Sequence, residues 1–151
     1  MSAKFPQLVS QDEAASTEER LIRVLVVDDE DSVRTAVVAL LDEHGRFRVV
    51  AEASDGAFAP ALVQELEPDV VLIDLRMPII GGIDAVQLIR AVDPQVGVVV
   101  LSAYSDQALI RDALAAGAFA YLIKGCPAEE LFETLERAWR NDPDSGSDRD
   151  A

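Results

Sequence analysis

The chain has 151 residues, half of them hydrophobic, enough for one domain with a sizeable core. Its 13 Lys and Arg face 28 Asp and Glu, a net charge of −15, which argues against nucleic-acid binding by this chain alone and against docking on an anionic membrane. No apolar run approaches the ~20 residues of a membrane span, the first twenty residues are too acidic for a secretory signal, and a single cysteine, Cys126, makes no internal disulfide, so the cytoplasm is the default compartment.

Residues 1–20 are polar, acidic and aperiodic, and read as a flexible arm. Leu21 to Val27 is an unalternating aliphatic run, the pattern of a strand buried on both faces, and it ends in Asp28 and Asp29. A helix from about Ser32 to His44 follows, with Val33, Val37, Leu40 and Leu41 on one stripe, Asp31 or Ser32 as its cap and Gly45 as its stop. His44 falls in the last turn, where a cation is favoured, and has no evident catalytic partner. Phe47 to Ala53 is a weaker, partly alternating strand at or near an edge, followed by a helix from about Gly56 to Leu66. Val70-Val71-Leu72-Ile73 is the next buried strand and runs into Asp74, with Pro78 forbidding further pairing. Gly81-Gly82 opens a helix from Ile83 to Val92, stopped at Asp93-Pro94. Val96 to Leu101 is the fourth strand, ending at Ser102; a helix near Asp106–Ala116 ends at Gly117. Phe119 to Ile123 is the fifth strand, terminated by Lys124. Pro127 then opens a last helix with Leu131, Phe132, Leu135, Ala138 and Trp139 inward. Residues 141–151 are acidic and turn-rich and read as a disordered tail. The domain is therefore expected over 21–140.

Alternating strands and helices imply an α/β doubly wound parallel sheet with helices on both faces. Strand order 2-1-3-4-5, the flavodoxin-like arrangement, is the favoured one. In such a sheet all carboxyl ends share one edge, so Asp28, Asp29, Asp74, Ser102 and Lys124 converge there. Singly, each is an ordinary turn or surface residue; their joint recurrence at strand ends is the signal. Clustered carboxylates repel unless a cation neutralises them, and oxygen ligands without His or Cys suit Mg²⁺. Lys124 is the only Lys between residues 21 and 140, and its compact ammonium suits a moving anion. The chemistry this set permits is phosphoryl transfer to Asp74, which needs no general base because a carboxylate is already ionised at neutral pH.

These motifs resemble the receiver domain of bacterial two-component response regulators. They are Val24-Leu25-Val26-Val27-Asp28-Asp29, then Asp74-Leu75-Arg76-Met77-Pro78 with Gly82, then Leu101-Ser102-Ala103, then Tyr121-Leu122-Ile123-Lys124. The resemblance covers about residues 21–140. It implies Asp74 as phosphoacceptor, and Mg²⁺ held by Asp29, Asp74 and the backbone carbonyl of Arg76, with Asp28 acting through water. It also implies Ser102 and Lys124 as holders of the phosphoryl group and Tyr121 as a switch aromatic. A histidine kinase or phosphotransfer protein would donate the phosphoryl group. The surface of the fourth helix, fifth strand and fifth helix would meet an output protein or form a homodimer. The chain would be a phosphoacceptor with slow dephosphorylation, not a turnover enzyme. Gly81 stands where Asp is frequent in the family, which should loosen that loop. Gly125 stands where Pro is frequent, which leaves open a cis Lys124–Gly125 bond. The Gly125-Cys126-Pro127 version looks most like receivers attached to a helix-turn-helix DNA-binding domain. No such domain follows residue 140 here, so a stand-alone receiver is expected. Cys126 precedes a helix start, where the dipole lowers a thiol pKa, but without a second cysteine an inert thiol is expected. Arg76 and Tyr104, each two residues beyond a site residue, are bulky enough to obstruct an attacking water, which predicts a long-lived phosphate.

Three other readings compete. One is a receiver-fold interaction module that works without phosphorylation, against which the intact acidic set argues. The second is a phosphatase of the haloacid dehalogenase kind, which needs a second acid where Arg76 stands. The last is a nucleotide or flavin binder, for which no glycine-rich loop follows the first strand.

Overall fold

Each aliphatic run becomes a strand and each amphipathic stretch a helix in the computed structural model, which describes residues 20–77 and 79–140. In chain order these are β1 (Ile22–Val27), α1 (Asp31–His44), β2 (Phe47–Ala53), a 3₁₀ turn (Gly56–Phe58) leading into α2 (Ala59–Leu66), β3 (Val70–Ile73), α3 (Gly82–Val92), β4 (Gly97–Ser102), α4 (Gln107–Ala116), β5 (Ala120–Ile123) and α5 (Ala128–Arg140). The strands form one parallel sheet in the order β2-β1-β3-β4-β5, the arrangement expected from the sequence.

The sheet separates two cores. Leu25, Val27, Val71, Ile73, Val98 and Val100 pack beneath α2, α3 and α4. Val24, Val26, Val70, Leu72, Val99 and Leu101 face α1 and α5 on the other side. From Val24 to Val27 in β1, Val70 to Ile73 in β3 and Val98 to Leu101 in β4, successive positions are therefore apolar, and each fully buried Val, Leu or Ile contributes about 1.5–3 kcal/mol. At the edge, β2 is buried only at Phe47 and Ala53. Close packing also uses glycine: a Cβ on Gly97 would lie 2.6 Å from the Ala138 carbonyl oxygen, so α5 can lie directly on the start of β4.

Several local expectations are corrected. Helix α1 starts at Asp31, with Glu30 at the cap position and no side chain closing the cap. The Asp31 carboxylate instead accepts a 2.6 Å bond from Arg34 Nη2. Leu40 is 38% exposed, while Val37 and Leu41 are the buried members of that stripe. The helix expected from Gly56 is split, because the Asp55 carboxylate accepts the Ala57 N–H and closes a tight 3₁₀ turn before α2, whose Pro60 near the start lacks a donor. His44 packs as an aromatic ring, 4.3 Å from Phe132 and 5.1 Å from Phe47 between centroids. The Lys124–Gly125 bond is trans, and Gly125 has φ +94°, which proline cannot adopt.

The expected acidic arm and tail fall, Arg20 apart, outside the described residues. Arg20 itself pairs with Asp69 at 3.2 Å and lies over the Trp139 ring at 5.6 Å. Among the described residues no helix is long and apolar enough to cross a membrane.

Candidate functional site

The carboxyl edge is built by the way the strands end. The N–H of Asp74 donates to the Val27 carbonyl at 2.9 Å, which seats the tip of β3 against the tip of β1. The Asp28 N–H donates to Ala53 at 3.0 Å, and its Oδ1 accepts the Glu30 N–H at 2.8 Å, folding the chain into α1. On the other flank the Lys124 N–H donates to the Ser102 carbonyl at 2.7 Å, so the ends of β4 and β5 are level.

These backbone bonds bring Asp28, Asp29 and Asp74 together. One carboxylate oxygen from each lies within 4.8 Å of the others. Asp28 and Asp74 are 4% and 5% exposed, whereas Asp29 faces solvent. The Lys124 ammonium reaches across from β5 to Asp28 at 3.1 Å, Glu30 at 3.4 Å and Asp74 at 3.5 Å. One cation is shared among several anions, and the titration directions record the imbalance. Burial, then the negative charge of Asp28, pushes the Asp74 carboxyl above its usual range; Lys124 and the Leu75 N–H only partly counter this. Burial alone would lower the Lys124 ammonium, but the bond to Asp28 and the charges of Asp74 and Asp28 hold it above its usual value.

That residual negative charge fits a divalent cation. The donors are all carboxylate oxygens, no His or Cys belongs to the cluster, and hard oxygen donors are what Mg²⁺ takes. Of the other expected site residues, Ser102 is fully buried and its Oγ accepts the Tyr104 N–H at 3.1 Å. The Tyr121 hydroxyl donates to the Tyr104 carbonyl at 2.6 Å. Arg76 is exposed, with its guanidinium 4.7 Å from the centre of the Tyr104 ring. Tyr104 is thus held at its amide, its carbonyl and its ring, each by a residue of this edge. Cys126 is partly buried; burial, then Glu130, raises its thiol pKa, opposite to the lowering that a helix start favours.

Sequence reasoning missed three contributors. Glu30 follows Asp28 and Asp29 in one acidic run, yet it shares Lys124. Arg34 donates to the Asp28 carbonyl at 2.6 Å and pairs with Glu52 at 3.2 Å, bracing the loop after β1. Burial would lower the Arg34 pKa, but the bond to Asp31, the larger influence, and that to Glu52 raise it. Asp55, which no sequence pattern singles out, is 2% exposed and accepts three backbone N–H bonds. Beside the acids, an apolar groove of about 370 Å³ runs between α1 and the start of α5, lined by Val33, Leu40, Cys126 and Leu131 and bounded by Lys124.

The fold and this edge together define a class: a flavodoxin-like parallel domain with a lysine-bridged acid cluster at its strand tips. Comparison with known proteins narrows it. The family model for the response regulator receiver domain matches residues 24–136. The transcriptional regulatory protein LnrK of Bacillus subtilis is 37% identical over 115 residues, 76% of this chain and 52% of that protein. The chemotaxis protein CheY of Listeria monocytogenes is 35% identical over 118 residues, 78% of this chain and 98% of that one. Among solved structures, the response regulator domain of Thermotoga maritima CheB matches with a TM-score of 0.76 and 34% identity, over 82% of this chain and all of that one. The receiver domain of the NarL regulator of Mycobacterium tuberculosis matches with the same TM-score and 33% identity, over 80% and 97%. The chain spans about half the length of the transcriptional regulators it matches. It belongs to the response regulator receiver family.

Proposed function

We propose that this chain is a phosphoryl-accepting receiver in two-component signalling, with Asp74 as the acceptor. The observation that carries this reading is the Lys124 ammonium lying between Asp28 and Asp74, with a third acid alongside. An Asp74 oxygen attacks phosphorus, forming an O–P bond as the donor's N–P or O–P bond breaks and the leaving group keeps the electron pair. No proton is removed from Asp74, because it enters as the anion. Asp29, Asp74 and the Arg76 carbonyl would hold Mg²⁺, with Asp28 acting through water, and the ion supplies charge neutralisation at the phosphoryl oxygens. Lys124 pairs with the transferred group, and Ser102 donates its hydroxyl to it.

The donor is a histidine kinase or a phosphotransfer protein. The groove bounded by Lys124 offers apolar surface for such a donor beside the acceptor. The output is a change in the α4–β5–α5 face, read by a protein partner or a second copy. Support for this coupling comes from Tyr104, whose N–H rests on the Ser102 oxygen and whose carbonyl accepts from Tyr121. A Ser102 hydroxyl that turns to a phosphoryl group changes the first contact and biases the second.

The test is labelling by acetyl phosphate with Mg²⁺. The parent is expected to be labelled, with loss of label in chelator, and Asp74→Asn is expected to remain folded and unlabelled. Equal labelling of the Asn variant overturns the acceptor assignment. An unlabelled parent favours a module that works without phosphorylation.

A further inference from the structure

Asp55 is a buried acid that the proposed chemistry does not use. It sits in the corner after β2, 2% exposed. Its Oδ1 accepts the N–H of Ala57 at 2.8 Å and of Ile80 at 3.0 Å; its Oδ2 accepts the N–H of Ile79 at 2.9 Å. The first bond is local. The other two cross 24 and 25 residues of sequence to the loop between β3 and α3. Burial alone would raise this carboxyl, but the three N–H groups hold it below the usual carboxylate range.

That loop leaves β3 immediately after Asp74 and carries the Arg76 carbonyl. Its base is closed by the Gly82 N–H donating to the Leu75 carbonyl at 2.8 Å. Among the described residues, no side chain other than Asp55 hydrogen-bonds the backbone of 76–81. Gly81, at the cap of α3, offers no side-chain bond of its own. Gly56 makes the approach possible. A Cβ there would lie 2.8 Å from the Ala85 side chain, 3.0 Å from the Ile80 carbonyl oxygen and 3.2 Å from the Met77 side chain. The corner after β2 is therefore pressed against the loop and charged at the point of contact.

We infer that Asp55 is a positioning residue for the metal site, clamping the β3–α3 loop so that the Arg76 carbonyl is presented to the cation held by Asp29 and Asp74. This rests on the reading of those groups as the Mg²⁺ ligands. A ligand supplied by a loop backbone is only as well placed as the loop, and loss of the partners that orient a ligand costs about 10-fold or more in metal affinity. Asp55 touches no ligand itself; its effect travels through the Ile79 and Ile80 amides.

Two variants test this on the full chain. Asp55→Asn puts an NH₂ group where one oxygen accepted, so a donor faces a donor. Asp55→Ser keeps a local turn hydroxyl for Ala57 but cannot reach the loop. Both are expected to unfold cooperatively. In the metal-free protein, the Ile79 and Ile80 amides should exchange about 10-fold faster than in the parent. Calorimetric Mg²⁺ affinity should fall about 10-fold. Labelling by acetyl phosphate should need correspondingly more Mg²⁺ yet reach the parent's rate at saturation. Parent-like exchange, or parent-like Mg²⁺ affinity in either variant, overturns the inference, as does a labelling rate that falls at every Mg²⁺ concentration alike. Should the parent itself take no label, the proposed function fails, while exchange and calorimetry still decide the clamp.

Discussion

Asp74 and Asp55 are nearly equally buried, at 5% and 2% exposure, and they titrate in opposite directions. Asp74 lies at the tips of the central strands beside Asp28, and one shared lysine does not neutralise the set. Asp55 lies one corner away with backbone N–H groups around it and, among the described residues, no ion pair. Burial raises both; what differs is what replaces the lost water. The first acid is left under-satisfied beside one shared lysine. The second accepts three backbone N–H bonds. The carboxylate proposed for chemistry and the one that ties backbone together thus differ in their partners, not in their depth.

The bluntest way to break this contrast is to deform the loop that joins the two acids. A Cβ on Gly82 would lie 2.4 Å from the Asp74 carbonyl oxygen and 2.6 Å from Leu75 Cα, both backbone atoms that cannot swing away. Gly82→Ala is therefore expected to cost about 3 kcal/mol in urea unfolding and to weaken Mg²⁺ binding as well. Unchanged stability would mean that α3 can slide off the end of β3, and the two acids would not share a rigid frame.

Replacing each acid by its neutral isostere sharpens the contrast, because the signs differ. Asp55→Asn should destabilise by about 2 kcal/mol at neutral pH, the scale of hydrogen bonds to a charged acceptor. Asp74→Asn should stabilise by about 1 kcal/mol, because it removes an anion whose burial and neighbours disfavour it. The pH dependence follows. The folded-state pKa of Asp55 is depressed, so its contribution is present above the unfolded carboxyl value, ~3.9, and is lost as pH falls through the folded value. That of Asp74 is raised, so its contribution is full below ~3.9 and lost as pH rises through the folded value. Both Asn variants should thus approach the parent in acid, one from below and one from above. Urea midpoints measured across this range check both signs, and variants that move in the same direction would remove the distinction.

The Asp74 half of this contrast was legible in the sequence, and the Asp55 half was not. Four aliphatic residues ending in one acid announce a central strand and its tip, and parallel order carries every such tip to one edge. Asp28, Asp29, Ser102 and Lys124 follow by the same rule, since each terminates an apolar run. Asp55 sits in Ser54-Asp55-Gly56, a composition any turn shows, and its partners are amides 24 and 25 residues away that carry no side-chain signature. Glu30 and Arg34 were hidden likewise, one inside a run of acids and the other on a solvated-looking helix face. The 3₁₀ break before α2 is a consequence of Asp55 and was lost with it. Leu40 reads as a core residue by helical period, but it borders the groove beside Lys124 instead.

The gentlest perturbation concerns the rim between the two territories. Arg76 leaves the Asp74 loop and stacks on Tyr104, which is 40% exposed and follows Ser102. A cation over an aromatic face is worth about 0.5–1 kcal/mol at an exposed site, enough to favour one arrangement of these two exposed side chains. In the phosphorylated form proposed above, an attacking water would have to pass these two side chains. Tyr104→Ala removes the ring but keeps the main-chain groups that bind Ser102 and Tyr121, so those two hydrogen bonds persist. Its dephosphorylation, followed after acetyl phosphate is removed, is expected to be about 3-fold faster, a barrier change under ~1 kcal/mol. Tyr104→Phe preserves the face and should match the parent. Equal lifetimes in all three would mean that the rim does not gate water, and that phosphate stability is set within the acid cluster alone.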